Sequence, residues 1–123
     1  MTQLQVRSYL GKAEEFLAVA RESLAAGHTL AATSLAVHAA ISAGDAICGA
    51  RTGKRAAGTD HAQAAVLLGQ AGREGTDAAR LLTRLMPLKN RAEYEPQDVP
   101  KATATRAVDQ AERIVQIARQ VVG

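Results

Sequence analysis

Residues 29–50 read TLAATSLAVHAAISAGDAICGA, and this stretch decides the fold of the chain. Asp45 is its only formal charge, and alanine would cover most of the circumference of a helix formed here. A helix that is apolar nearly all round is buried among other helices. The stretch is also long enough to span a membrane. Its content of Ala, Ser, Thr and Gly, together with His38 and Asp45, instead favours the buried central helix of a soluble bundle.

The remaining composition predicts a single α-helical domain over residues 1–123. A chain of 123 residues has the usual size of one domain. Trp is absent and Phe16 is the only phenylalanine, so Ala, Leu and Val must fill the core, and alanine is the strongest helix former. Lys and Arg number 15 against 12 Asp and Glu, and the net charge of +3 permits a phosphate-bearing partner without requiring one.

Four further helices are predicted around the central one. Apolar residues recur at helical spacing over residues 4–26, where Thr2 and Gln5 have the spacing of a capping box and Gly27 ends the helix. A shorter helix is predicted over residues 61–70. No alternating strand pattern occurs, so the predicted fold is an all-α, up-and-down bundle of about five helices.

In the second half of the chain, the helix boundaries are predicted from prolines and capping residues. Pro87 should kink the fourth helix, because proline removes a helix hydrogen bond and clashes with the preceding turn. After the proline, the helix either resumes as far as Tyr94 or ends. The third helix is predicted to start at a capping pair formed by Asp60 and Gln63. Thr76 or Asp77 is predicted to cap the fourth helix, and the last helix is predicted to begin near Pro100.

Two motifs near the end of the central helix have simple structural explanations. Residues 49–54, GARTGK, resemble a phosphate-binding loop, but they have three residues between the glycines instead of four and no Ser or Thr after the lysine. We therefore interpret residues 49–59 as an exposed basic loop. Cys48 is the only cysteine, which excludes an internal disulfide and a cysteine-built metal site and fits a small buried side chain in a reducing cytosol.

His38 and Asp45 form a polar strip within the apolar stretch. A spacing of seven residues puts them on one helix face about 10 Å apart, with Ser34 and Ser42 one turn to either side of His38. Two interpretations stay open. The strip is a buried functional site, or it is a histidine at the edge of the core whose neighbours satisfy its hydrogen bonds.

A second polar stripe consists of Arg80, Arg84 and Arg91 in the fourth helix. At 100° per residue the three arginines fall within about 40° of one another. They form either a solvated basic face or a stripe that follows the phosphates of RNA or a nucleotide. No aromatic residue is interleaved with them, so the pattern gives no support for base stacking.

The order and character of these segments resemble the HEPN family of small helical domains. The resemblance extends from RSYLGKAEEFLAVARESL (7–24) and AATSLAVHAAISAGDAICGA (31–50), through a Gly-rich basic loop and a helix opening with His61, to KNRAEYEP (89–96). It implies a bundle of four to five helices that commonly dimerises. Family members are RNases or toxins, accessory domains beside nucleotidyltransferases, or non-catalytic modules that bind RNA, nucleotides or partner proteins.

The chain departs from the RNase members of that family at one position. Those members have an Arg followed, after four to six residues, by a His. Arg91 matches the Arg, but the corresponding later positions are Pro96, Gln97 and Asp98, none of which is an imidazole. The resemblance therefore implies the non-toxic variant, in which an acidic residue and a Tyr follow the Arg. Its candidate binding residues here are Asn90, Arg91, Glu93 and Tyr94, besides Arg80 and Arg84.

The sequence thus predicts a non-catalytic, cytoplasmic, HEPN-like module without cofactor, metal or membrane span. Its expected partners are a second copy of the chain, a protein such as a nucleotidyltransferase, and RNA or a nucleotide, in a toxin–antitoxin, defence or nucleotidyltransferase-linked system. One alternative is a divergent ribonuclease that uses Arg91 with Glu93, Tyr94 or His38. Another is a purely structural helical adaptor.

Overall fold

The computed structural model describes residues 1–54, 61–95 and 97–123, and for His61 and Ala62 the backbone alone. Five helices contain nearly all of these residues, and none of the described residues forms a strand. The prediction of an all-α bundle of five helices is therefore confirmed. The helices are α1 Gln3–Ala25, α2 Thr29–Thr52, α3 His61–Gly69, α4 Gly72–Tyr94 and α5 Lys101–Val122.

Helix α2 is the centre of the bundle, since it packs against each of the other four helices. Ala36, Ala40 and Ala43 are fully buried along it. Small side chains let the neighbouring helices approach closely: a Cβ atom placed on Gly44 would already lie 3.4 Å from a methyl carbon of Leu68 in α3. By length and mean hydropathy (1.3) α2 is also apolar enough to cross a membrane, but 67% of its most apolar window is buried inside the bundle.

The end of α2 corrects the predicted loop over residues 49–59. Gly49–Thr52 continue the helix, and Gly53 ends it with a left-handed φ of +73° that favours glycine. The Thr52 hydroxyl donates to the Cys48 carbonyl at 2.7 Å, and the Met1 ammonium group donates to the Gly53 carbonyl at 2.8 Å. Residues 55–59 lie outside the described residues. Because residues 49–52 are helical, the GARTGK motif is not a phosphate-binding loop.

The boundaries of α1 agree with the sequence. Thr2 and Gln5 form the predicted capping box, in which each side chain accepts a hydrogen bond from the backbone N–H of the other residue. Gly27 follows the helix with φ +81°. Helix α3 begins at His61 as expected, whereas Asp60 of its predicted capping pair lies outside the described residues.

Helix α4 starts one turn earlier than predicted. Its N-cap is Ala71, which makes no side-chain capping bond, so neither Thr76 nor Asp77 caps the helix, and the Thr76 hydroxyl donates to the Gly72 carbonyl at 3.1 Å instead. Within this earlier first turn, close packing requires a glycine at position 75, because a Cβ there would collide with the Leu68 carbonyl oxygen of α3.

Pro87 does not end α4, which continues to Tyr94. The alternative in which the helix stopped at the proline is therefore wrong. Pro100 is the N-cap of α5, close to the predicted start. Only residues 95–100 connect the two helices, so α4 and α5 are antiparallel neighbours.

Candidate ligand-binding groove between α4 and α5

The pairing of α4 with α5 creates a groove of about 440 Å³ on the surface of the bundle. Each helix contributes four residues at positions i, i+3, i+4 and i+7, the spacing that puts side chains on one helix face. We call this the α4–α5 groove. Its lining residues are Asp77, Arg80, Leu81 and Arg84 from α4, and Arg113, Gln116, Ile117 and Gln120 from α5.

The α4–α5 groove has an apolar floor and a basic rim. Leu81 is 7% exposed and belongs to the core, and Ile117 packs against it as a half-buried residue. The side chains of Arg80, Arg84 and Arg113 are exposed above this floor, with the single carboxylate of Asp77 at one end. Three guanidinium groups against one carboxylate leave an excess of positive charge in a concave site, where charge attracts an anion more strongly than on a flat surface.

The groove arginines differ from the paired arginines of the bundle. Within the described part of the chain, the arginine–glutamate ion pairs are Arg21–Glu112, Arg51–Glu74 (3.4 Å), Arg91–Glu95 (3.6 Å) and Arg119–Glu14 (3.9 Å). Arg80, Arg84 and Arg113 form no ion pair with a carboxylate of those described residues. Their N–H donors are therefore available to an external anion.

The structure brings together two of the three arginines of the predicted basic stripe. Arg80 and Arg84 line the groove, whereas Arg91 lies about 10 Å farther along α4 and pairs with Glu95. Arg113 is the functional candidate that the sequence pattern did not reveal, since it belonged to the polar face of the last helix. The sequence shows that Arg113, Gln116 and Gln120 share one helix face. It does not show the antiparallel register of α4 and α5 that puts Arg113 and Arg84 in the same groove.

The other candidate binding residues lie at the C-terminal end of α4, outside the groove. Asn90, Glu93 and Tyr94 are exposed, and Tyr94 retains 77% of its accessible surface. Glu95 holds Arg91 in an i, i+4 ion pair, which keeps part of its guanidinium directed along the helix. This end of α4 is a solvated polar terminus.

The structure does not combine His38 and Asp45 into one buried site. His38 is exposed, and its imidazole packs against the ring of Phe16 at a centroid distance of 5.6 Å and an interplanar angle of 32°. Asp45, by contrast, is 1% exposed. Residues seven apart share a helix face, but here one end of that face meets solvent and α1 while the other end is buried in the bundle.

Cys48 is a buried thiol without nucleophilic character. Burial, together with the neighbouring Asp45 carboxylate, raises the pKa of Cys48 to about 12, because both disfavour the thiolate. It therefore acts as a small apolar side chain, as expected. Within the described residues, no group of three or more His, Cys, Asp or Glu side chains is arranged to hold a metal ion.

The five-helix bundle places this protein in the class of small all-α domains. The chain belongs to the HEPN family, since the family model for the HEPN domain matches residues 6–121. That match covers nearly the whole chain and confirms the family inferred from the sequence. The comparison with curated proteins found no match.

Proposed function

We propose that this HEPN domain is a non-catalytic module that binds RNA or a nucleotide through its phosphates in the α4–α5 groove. The observation that carries the proposal is the convergence of Arg80, Arg84 and Arg113, none of them paired with a carboxylate of the described residues. A planar guanidinium presents two parallel N–H donors to a phosphate. Three of them in one groove suit an anion with several phosphate oxygens.

The size and floor of the groove also support such a ligand. About 440 Å³ lies within the usual range for small-molecule and cofactor sites. Leu81 and Ile117 provide apolar contact for a sugar or base, and Gln116 and Gln120 supply amide donors and acceptors. The groove contains no aromatic residue, so recognition rests on phosphates and hydrogen bonds.

The chemistry near Arg91 supports binding without cleavage. RNA hydrolysis by a histidine-dependent mechanism needs a group that transfers protons near neutral pH. Arg91 stays protonated at that pH, and positions 96 to 98 contain Pro, Gln and Asp. His38 packs against Phe16, in a helix other than that of Arg91. Residues 89–98 around Arg91 therefore contain no histidine that could transfer the proton.

The binding test compares two triple variants with the same loss of charge. In the groove variant Arg80, Arg84 and Arg113 become Ala, and in the control variant the exposed Arg7, Lys54 and Lys101 become Ala. The probe is a fluorescein-labelled single-stranded 12-nucleotide RNA, with unlabelled ATP as competitor. We expect the groove variant to bind at least about tenfold more weakly, and its log K against log salt slope to fall by about 2, because roughly three phosphate contacts are lost.

The absence of RNA binding by the wild type would contradict the proposal, and so would either of two other outcomes. Equal weakening in both triple variants would show that net charge, and not the groove, attracts the RNA. Cleavage of mixed RNA at neutral pH by the wild type, abolished by both Arg91→Ala and His38→Ala, would make the ribonuclease the better account. The homodimer, the cytoplasmic location and a toxin–antitoxin, defence or nucleotidyltransferase-linked setting stay predictions of the sequence.

A further inference from the structure

A second groove lies on the other side of the same arginines, between α3 and α4. Its volume is about 480 Å³, and apart from the arginines its walls consist of methyl-bearing side chains. We call this the α3–α4 groove. The residues concerned are Ala65 and Val66 from α3, and Thr76, Ala79 and Thr83 from α4.

Helix α3 leaves an apolar face towards solvent beside this groove. Its nine residues, HAQAAVLLG, include Ala64 and Leu68, which are buried in the core. Val66 points elsewhere and retains 64% of its accessible surface. Beyond Val66 the apolar surface continues into a hollow lined by Leu67 and two glutamines. Val66 and Leu67 therefore give this side of α3 an apolar surface next to the α3–α4 groove.

The rim of the α3–α4 groove determines the charge of what binds there. Arg80 and Arg84 line this groove as well as the α4–α5 groove, so they form a basic ridge between the two. Neither pairs with a carboxylate of the described residues. An occupant with an apolar face and flanking carboxylates would cover Val66 and also neutralise the charges of Arg80 and Arg84.

The shape of the groove determines the kind of occupant. From Thr76 to Arg84 the α4 wall is about 12 Å long, which is a little more than two helical turns. The groove is open to solvent along this length, whereas small-molecule sites enclose most of their ligand. An open apolar trough of two turns suits an amphipathic helix with apolar residues at i, i+3 or i+4, and i+7.

We propose that the α3–α4 groove docks an acidic amphipathic helix of a partner protein, with its apolar face over Val66 and its carboxylates on Arg80 and Arg84. This docking site is independent of the function proposed above. One consequence does rest on that function: because both grooves use the same two arginines, the acidic helix and the phosphate-bearing ligand exclude each other.

The probe is a synthetic 14-residue helical peptide with Leu at i, i+3 and i+7 and Glu at the flanking positions. Two control peptides replace either every Leu by Ser or every Glu by Lys. We expect saturable binding of the first peptide alone. Val66→Ser and Arg80→Ala should each weaken it at least about fivefold, while Leu30→Ser, at an exposed leucine of α2 (54% exposed), should leave it unchanged. Circular dichroism confirms that each variant is folded.

The same variants separate this inference from the proposed function. Arg113→Ala should weaken the 12-nucleotide RNA and leave the peptide unchanged, since Arg113 lines the α4–α5 groove alone. Val66→Ser should do the opposite, and unlabelled peptide should displace the labelled RNA from the wild type. Peptide binding that responds to Val66→Ser, with no RNA binding, would overturn the proposed function and support the docking site.

Three results would overturn the docking site. The first is equal binding of the acidic and the Ser- or Lys-substituted peptides, or no binding of any of them. The second is an effect of Leu30→Ser as large as that of Val66→Ser. The third is a weakening of RNA but not of peptide by Val66→Ser, which would make nucleic acid the occupant of this groove.

Discussion

Helices α2 and α4 have nearly the same length, 24 and 23 residues, but they perform different tasks in the bundle. Fourteen residues of α2 are buried, and it packs against every other helix. Six residues of α4 are buried, and its outer face presents arginines that no described carboxylate neutralises. The comparison indicates that core packing is concentrated in α2, whereas α4 provides the exposed basic surface to which the proposed function assigns ligand binding.

This separation has a physical origin in side-chain size and charge. An interior helix rich in Ala and other small residues can be surrounded on most sides because its neighbours approach closely, and it then has little surface left for a ligand. An amphipathic helix at the edge buries one stripe and leaves the rest to solvent. Substitutions in the two helices should therefore change different measured quantities.

The largest effect is expected from Ile47→Ala in α2. Ile47 is fully buried, so its truncation removes apolar contacts and leaves a cavity, which costs about 2–5 kcal/mol of unfolding free energy. Urea denaturation measures that loss. The folded fraction should bind the 12-nucleotide RNA with unchanged affinity, because α2 contributes no residue to the α4–α5 groove.

The control for this prediction is Leu4→Ala, at a position that is 76% exposed. Its effect on stability should stay within about 0.5 kcal/mol. A comparable loss of unfolding free energy in both variants would contradict the central role of α2 in stability. An RNA affinity that falls together with stability would show that the α4–α5 groove depends on the packing of α2.

An intermediate effect is expected from Cys48 at alkaline pH. The pKa of the native thiol is raised to about 12, whereas the unfolded thiol ionises near 8.5. A raised native pKa stabilises the fold fully below the unfolded pKa and progressively less above it, so stability should decline from about pH 8.5 towards pH 12, by up to about 1.4 kcal/mol per pH unit.

The measurement is urea denaturation between pH 8 and pH 10, with Cys48→Ala as the comparison. The variant should lose the part of the decline that is due to the thiol, while arginines and lysines contribute equally to both proteins. A thiol reagent at pH 8 should label Cys48 in urea but not in the native protein. Rapid labelling of the native protein would contradict the burial of α2.

The smallest effect is expected from Glu95→Gln at the end of α4. This change removes the carboxylate that pairs with Arg91 and frees that guanidinium for phosphate, so RNA should bind about twofold more tightly, as expected for an exposed ion pair. Fluorescence anisotropy at low salt is the measurement.

Glu93→Gln is the matched control, because it removes one negative charge two residues away without breaking the Arg91–Glu95 pair. If Glu93→Gln tightens binding as much as Glu95→Gln, net charge is the cause. If neither changes the affinity, the RNA does not reach Arg91, and the α4–α5 groove alone contacts it.

The sequence by itself determined the local features of this protein. Helical spacing of apolar residues identified the amphipathic α1, and the near absence of charge in residues 29–50, where Asp45 is the only charged residue, identified the buried α2. The capping box of Thr2 and Gln5 was readable because its partners are three residues apart. Arg80 and Arg84 were found as a stripe for the same reason, since one helix turn brings them together.

Only the tertiary structure decided the features that depend on packing between helices. Helix α4 starts at Gly72 without a side-chain cap, and its first turn packs closely against α3 at Gly75, a contact that no capping pattern in α4 records. Arg113 joins Arg84 because two antiparallel helices adopt one register, although 29 positions separate them in sequence. His38 and Asp45 share a helix face, but the neighbouring helices bury one and leave the other exposed. Periodicity specifies which residues share a face, and the elements packed against that face decide whether it forms core, groove or solvated surface.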